Sequence, residues 1–247
     1  MSSRIRIFSL FTLLVFTWSC KKENWCDCVK STGKDETTTR DVQGFTCINL
    51  EDKIDMYIKQ GPNFEVKVQA GEHLQKLIKT ELDGETLKVV NNNKCNFVRG
   101  YKHKITVYVT APRFKFIDHN GVGTIWTDGT IVQDTIGCKT HSSGDIHLNV
   151  NSKVMLCSTH GNGDIYLAGV TDNLQNDYTG TNFLYAKDLK VNSFIYLHSV
   201  SLGHAYVNAP PSGNMDIRIE QSGNVYYTGS PSAIQLTRTG KGQLIKD

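Results

Sequence analysis

The sequence predicts an all-β protein, a solenoid of stacked coils preceded by a hairpin-rich N-terminal part. Three observations carry this expectation. Short stretches alternate apolar and polar residues from Phe45 onward, the period of half-buried strands. Gly, Pro, Asn and Asp punctuate them at turns. From Gly123 a glycine-led apolar–aromatic pattern recurs every 18 to 22 residues, and self-similarity at that period marks a coil that cannot bury its apolar face alone.

The first element is a leader. Arg4 and Arg6 precede an apolar run from Ile7 to Phe16, followed by Thr17-Trp18-Ser19-Cys20, the layout of a secretory signal over residues 1–19. The run is roughly half of the ~20 residues that span a bilayer as a helix, and no later segment approaches that length. Cys20, directly after the cleavage site and the small Ser19, resembles a lipobox, although Thr17 and Trp18 depart from its pattern. The resemblance implies acylation of Cys20 by palmitate-like chains, which hold a lipoprotein to a membrane without a spanning helix. The expected place is the cell envelope, on a face of the outer membrane. Residues 20–43 are polar, with KDETTTRD, and read as a tether.

Charge and cysteine usage narrow the partners. The formal net charge is +3, and loss of Arg4 and Arg6 brings it to about +1, which argues against a nucleic-acid partner. Of seven cysteines, lipidation of Cys20 leaves six in a compartment that permits disulfides. The CDC at Cys26 and Cys28 lacks a CxxC spacer, and no second pair follows at zinc-ribbon spacing. A staple from tether to body, Cys28 to Cys95, is the preferred pairing, though sequence alone leaves connectivity open.

Within the body (residues 44–247), residues 44–117 form the hairpin-rich part. Ile54, Met56 and Ile58 alternate with polar neighbours, and the turn at Gly61 to Asn63 leads into Phe64, Val66 and Val68, a first hairpin. A helical turn at Glu72 to Lys76 precedes Ile78, Thr80 and Leu82; Asp83-Gly84 then reverses the chain into Leu87 and Val89, a second hairpin. Ile105, Val107 and Val109 form a further strand that ends at Ala111-Pro112.

Residues 118–247 carry the repeats, led by Gly123, Gly144, Gly163, Thr181, Gly203, Gly223 and Gly242. Two residues after each marker stand Ile125, Ile146, Ile165, Phe183, Ala205, Val225 and Leu244, an expected interior ladder. Their neighbours then face outward: Asp145, Asp164 and His204 among those before it, and Trp126, His147, Tyr166, Leu184, Tyr206 and Tyr226 after it. The marker glycines are expected to permit a left-handed corner or bulge. Cys138 and Cys157 hold equivalent sites in neighbouring coils and read as core thiols.

Taken together, FTCINLEDKIDMYIKQGP, VKVQAGEHLQKLIKTELDGETLKV, IDHNGVGTI and the SSGDI and GNGDI copies resemble, over nearly the whole mature body, the Bacteroidetes lipoproteins with an adhesin head of the GIN type (DUF2807). The resemblance implies a right-handed parallel β-helix behind a β-rich N-terminal part, and no catalytic residues. Glu51-Asp52-Lys53 departs from it, since small or glycine-containing turns are common there.

Several side-chain rows could carry chemistry. Asp145 and Asp164 should stand about one strand spacing apart, near 4.8 Å, a separation that could serve a retaining glycosidase; Gly-Asp is also ordinary turn chemistry. His141 and His160, with His119 near the corresponding place, could bind a transition metal given a further ligand; the plainer reading is a polar ladder without metal. The outward row Trp126, His147, Tyr166, Tyr206 and Tyr226 is the expected ligand-binding stripe, suited to a glycan or surface protein, against the plainer reading of rings that stabilise the sheet. No GxSxG, HExxH or GxxxxGK occurs. The sequence reads as a non-enzymatic, cofactor-free envelope lipoprotein that presents a rigid solenoid as an adhesin or interaction module. The alternatives are a polysaccharide-active enzyme and a structural lipoprotein without ligand.

Overall fold

The computed structural model describes residues 31–93 and 104–247. The leader, Cys20, Cys28 and Cys95 lie outside the described residues. The chain is nearly all strand, wound as parallel stacked coils into a β-solenoid of about 7 turns. Among the described residues no helix is long and apolar enough to cross a membrane.

Each coil contributes to two sheets. The first sheet runs through β9 (Thr124–Thr127), the leading halves of β11 (Asp145–Gly161), β12 (Ile165–Gly180) and β13 (Leu184–Ser201), then β14 (Ala205–Asn208), β16 (Val225–Thr228) and β18 (Leu244–Lys246), all parallel. The second runs through β8 (Phe116–His119), β10 (Ile131–Thr140), the trailing halves of β11 to β13, then β15 (Asn214–Ile219) and β17 (Ala233–Arg238). Parallel register stacks like on like. Met56, Ile125, Ile146, Ile165, Leu184, Ala205, Val225 and Leu244 form one interior column, and all but Leu244 are buried. Each large aliphatic member contributes about 1.5–3 kcal/mol by leaving water.

The N-terminal part holds the antiparallel pairing. β5 (Ile78–Asp83) and β6 (Thr86–Asn91) are the expected second hairpin, with Gly84 at φ +59, as a turn with a left-handed first central residue requires. A short 3-10 turn at Gln75–Leu77 stands close to the expected helical turn. The first hairpin does not form. β3 (Asp55–Gln60) pairs in parallel with β7 (Thr106–Ala111), and β4 (Glu65–Gly71) pairs with the other edge of β7, so β7 lies between them. Alternation announces two half-buried strands but not their partners, and β7 offers β3 the parallel pairing that continues the coil. The coils therefore begin early: β2 (Cys47–Leu50) and β3 form one, and β6 with β7 form another on its outer side.

Part of the expected tether is also ordered. Asp35–Arg40 is strand β1, antiparallel to β4. Its β-branched Thr37-Thr38-Thr39 suit an extended edge, and Thr38 and Arg40 both bond to the buried Gln75, at 2.7 and 2.9 Å.

Candidate functional site

The register corrects the repeat at one coil. Leu184, not Phe183, aligns with Ile165 and Ala205; Leu184 is buried and Phe183 half-buried. The marker of that coil is therefore Asn182 rather than Thr181, and the intervals tighten to 19–21 residues. Asn182 fills the inner corner with its amide, which donates to Gly161 O and accepts from Thr159 Oγ1 at 2.8 Å. Tyr185 then takes the outward place expected of Leu184.

The marker glycines do not adopt left-handed conformations; the positive φ values fall on other glycines. What they provide is proximity. A Cβ on Gly163 would stand 2.1 Å from Gly144 O, and one on Gly223 1.9 Å from Gly203 O, so the inner corners of successive coils touch backbone to backbone.

Shifting one residue completes the stripe. Tyr108, Tyr57, Trp126, His147, Tyr166, Tyr185, Tyr206 and Tyr226 stack as one row, with neighbouring centroids 4.1–6.0 Å apart and planes within 25°. All five stripe residues expected from sequence are in it. The missed members could have been found: Met56-Tyr57-Ile58 has the same apolar–aromatic order without a glycine marker, and Tyr185 needed only the corrected register. Because the rings face each other along the solenoid, they show solvent their edges and hydroxyls.

Beside this row lies a groove of about 670 Å³. Trp126, His147, Tyr166, Tyr185 and Tyr206 line it together with Thr127, Leu148, Asn149, Leu167, Ala168, Lys187 and Asp188. A register shift after Tyr166 inserts one residue in the facing coil and sets Asp188 opposite Ala168, whose small side chain leaves the space open. Lys187 is held by Asp247 at 2.6 Å and stands 5.3 Å over the Tyr206 ring. Among the described residues, the ring nitrogens of His147, the side chains of Asn149 and Asp188 and the hydroxyls of Tyr185 and Tyr206 have no hydrogen-bond partner. Burial lowers the His147 pKa against the pull of Asp145 and Asp164, so the imidazole is neutral at neutral pH. Burial, with the nearby Asp164 and Asp145 charges, pushes the Tyr166 hydroxyl up to about 12.

The aspartate row has a different task. Asp145 Oδ1 accepts the Asp164 backbone N–H and Asp164 Oδ1 accepts that of Phe183, both at 2.8 Å. Asp55 does the same for Thr124, His204 for Asn224 and Asn224 for Gln243. Each side chain thus ties the next coil, and neither Asp145 nor Asp164 lines the groove. Burial raises the Asp164 pKa, partly offset by the Phe183 N–H.

The histidines split. His141 and His160 stack at 5.5 Å on the outside of the second sheet. His160 bonds to Ser158 and Thr179, and His141 stands 3.5 Å from Asp118. His119 is out of that row: it is buried, with Nε2 2.8 Å from Gly123 O. Among the described residues no group of three or more His, Cys, Asp or Glu is arranged to hold a metal. Cys138 and Cys157 are buried free thiols with sulfurs 3.8 Å apart.

A family model described as "Putative auto-transporter adhesin, head GIN domain" matches residues 44–231. No curated protein matches the sequence. Among solved structures, a protein described as a putative adhesin from Bacteroides fragilis is 21% identical, with TM-score 0.79 over 87% of this chain and 97% of its own. A putative lipid binding protein from Parabacteroides distasonis is 18% identical, with TM-score 0.66 over 88% and 98%. A putative adhesin from Parabacteroides merdae is 17% identical, with TM-score 0.60 over 88% and 98%. At these identities the likeness is one of fold.

Proposed function

The chain belongs to the family described as "Putative auto-transporter adhesin, head GIN domain", and on that premise we propose that it is a non-enzymatic envelope lipoprotein, anchored through Cys20, whose solenoid offers the groove beside the aromatic row to a surface partner. The observation that carries this reading is the convergence of unpartnered polar groups, from His147, Asn149, Tyr185, Asp188 and Tyr206, on one groove with an apolar floor. Some polar groups elsewhere on the outer faces are tied to one another instead, as in the Asp177–His198–Glu220 bridge with both contacts at 3.0 Å. A mostly apolar groove with a few convergent polar groups is the usual form of a binding site. The same features weigh against hydrolysis by Asp145 and Asp164, since each spends an oxygen on a backbone N–H. A dedicated structural role for the rings does not account for Asn149 and Asp188.

The test pairs two measurements on the processed chain. Mass spectrometry of the N-terminal peptide should find acyl mass on Cys20; a bare cysteine there would remove the anchor. Binding to envelope preparations should fall about tenfold or more in an Asn149→Ala, Asp188→Ala double variant, which removes about 1.4 kcal/mol or more. Undiminished binding would remove the groove from the function.

A further inference from the structure

The groove's shape and chemistry limit what it can hold, provided that it is the binding surface proposed above. It crosses the coils rather than following one, from Trp126 to Tyr206 in five successive strands of the first sheet. At about 4.8 Å per strand its length is roughly 19 Å. An occupant is therefore elongated and lies along the solenoid axis.

Apart from the Asp188 carboxylate, the available polar groups are of one kind. The neutral imidazole of His147, the amide of Asn149 and the hydroxyls of Tyr185 and Tyr206 can each donate and accept. Hydroxyl groups on an occupant match them, since a hydroxyl also does both. An extended peptide added as a further strand would need a free row of backbone N–H and C=O groups, and in these coils the parallel ladder occupies them. Ring faces are covered by neighbouring rings, so recognition rests on hydroxyl and amide bonding over the apolar floor rather than on stacking.

Charge narrows the class further. Among the described residues that line the groove, Asp188 has no ion-pair partner and the one cation, Lys187, is paired with Asp247. An acidic chain would meet the Asp188 carboxylate with no free cation among those lining residues to receive it. We propose that the groove holds a neutral, unbranched polysaccharide laid along the solenoid axis, with the one-residue insertion in β13 that presents Asp188 acting to reject acidic glycans.

The experiment uses the processed full chain in detergent carrying Trp25→Phe, so that Trp126 at the groove end is the reporting fluorophore. Neutral oligosaccharides of increasing length, oligouronates and extended peptides are titrated in parallel with envelope binding. Neutral oligosaccharides are expected to bind with an affinity that grows until the groove is filled and then levels. Asn149→Ala should weaken them about tenfold or more, and oligouronates should bind only once Asp188→Asn removes the charge. Asp188→Asn preserves shape, so its effect is read without loss of fold. Envelope binding without any neutral oligosaccharide binding would overturn this inference and leave the adhesin reading standing, as would equal binding of oligouronates or preference for peptides. Failure of both assays would overturn both.

Discussion

Asp52 shows how one residue can carry a turn. It has φ +62, the only left-handed non-glycine among the described residues, and its Oδ2 accepts the Asn91 N–H at 2.8 Å. The sequence signalled the position as a departure from the family's small-residue turns, but not the bond that makes it tolerable. Replacing Asp52 with Ala should lower stability by about 2 kcal/mol, from left-handed strain and the lost bond. Asp52→Gly should cost less, as urea unfolding would report. Asn176 is the opposite case. It is buried between Cys157 and Leu197 in the interior, with neither amide atom bonded, so Asn176→Leu should raise stability by about 1–3 kcal/mol. Burial also pushes the Tyr178 hydroxyl up to about 12, like that of Tyr166. Unfolded tyrosines lose their protons near pH 10, so between about pH 10 and 12 the folded state retains protons that the unfolded chain has released. Stability should therefore fall as pH rises through that window. Phenolate absorbance should show these two tyrosines titrating late in the folded protein and with the rest in denaturant.

At the scale of the element, the repeat was legible and its cause was not. Glycine spacing announces coils, but the contact of Gly163 with the Gly144 carbonyl joins residues of different coils, and no local rule reveals it. Gly163→Ala should accordingly cost about 3 kcal/mol, the upper part of the overpacking range, even though its φ is ordinary; thermal unfolding would measure it. The one-residue slip at Asn182 arose because the coil substitutes a side chain for the missing glycine. A slip of one inverts every side chain of a strand, so Tyr185 was lost from the stripe. Tyr185 stacks on Tyr166 at 4.6 Å and Tyr206 at 5.4 Å. Tyr185→Ala should remove two aromatic contacts of about 0.5–1.5 kcal/mol each. Tyr185→Phe should keep them and lose only the groove hydroxyl, so unfolding and binding measurements on the two variants separate support from recognition.

For the whole molecule, alternation and period sufficed for the solenoid, while the order of its first coils could not be read, because partner choice among half-buried strands depends on contacts far apart in sequence. The β2–β3 coil lies between β6–β7 on one side and β8–β9 on the other. The chain makes a coil, leaves it through β4 and β5, returns to cover one side of it, and only then builds outward on the other. This arrangement gives folding a slow start and a fast finish. Joining β2 to β6 and β3 to β7 closes loops of about 39 and 51 residues before any stacked layer rewards them, whereas each later layer recruits a segment of 19–21 residues onto a template already present. Ile58→Ala, in that nucleus, should chiefly slow refolding, and Ile217→Ala, in a late layer, should chiefly hasten unfolding, as stopped-flow chevrons would resolve. The chain thus commits to its architecture only once β7 is in place, and from then on lengthens by accretion.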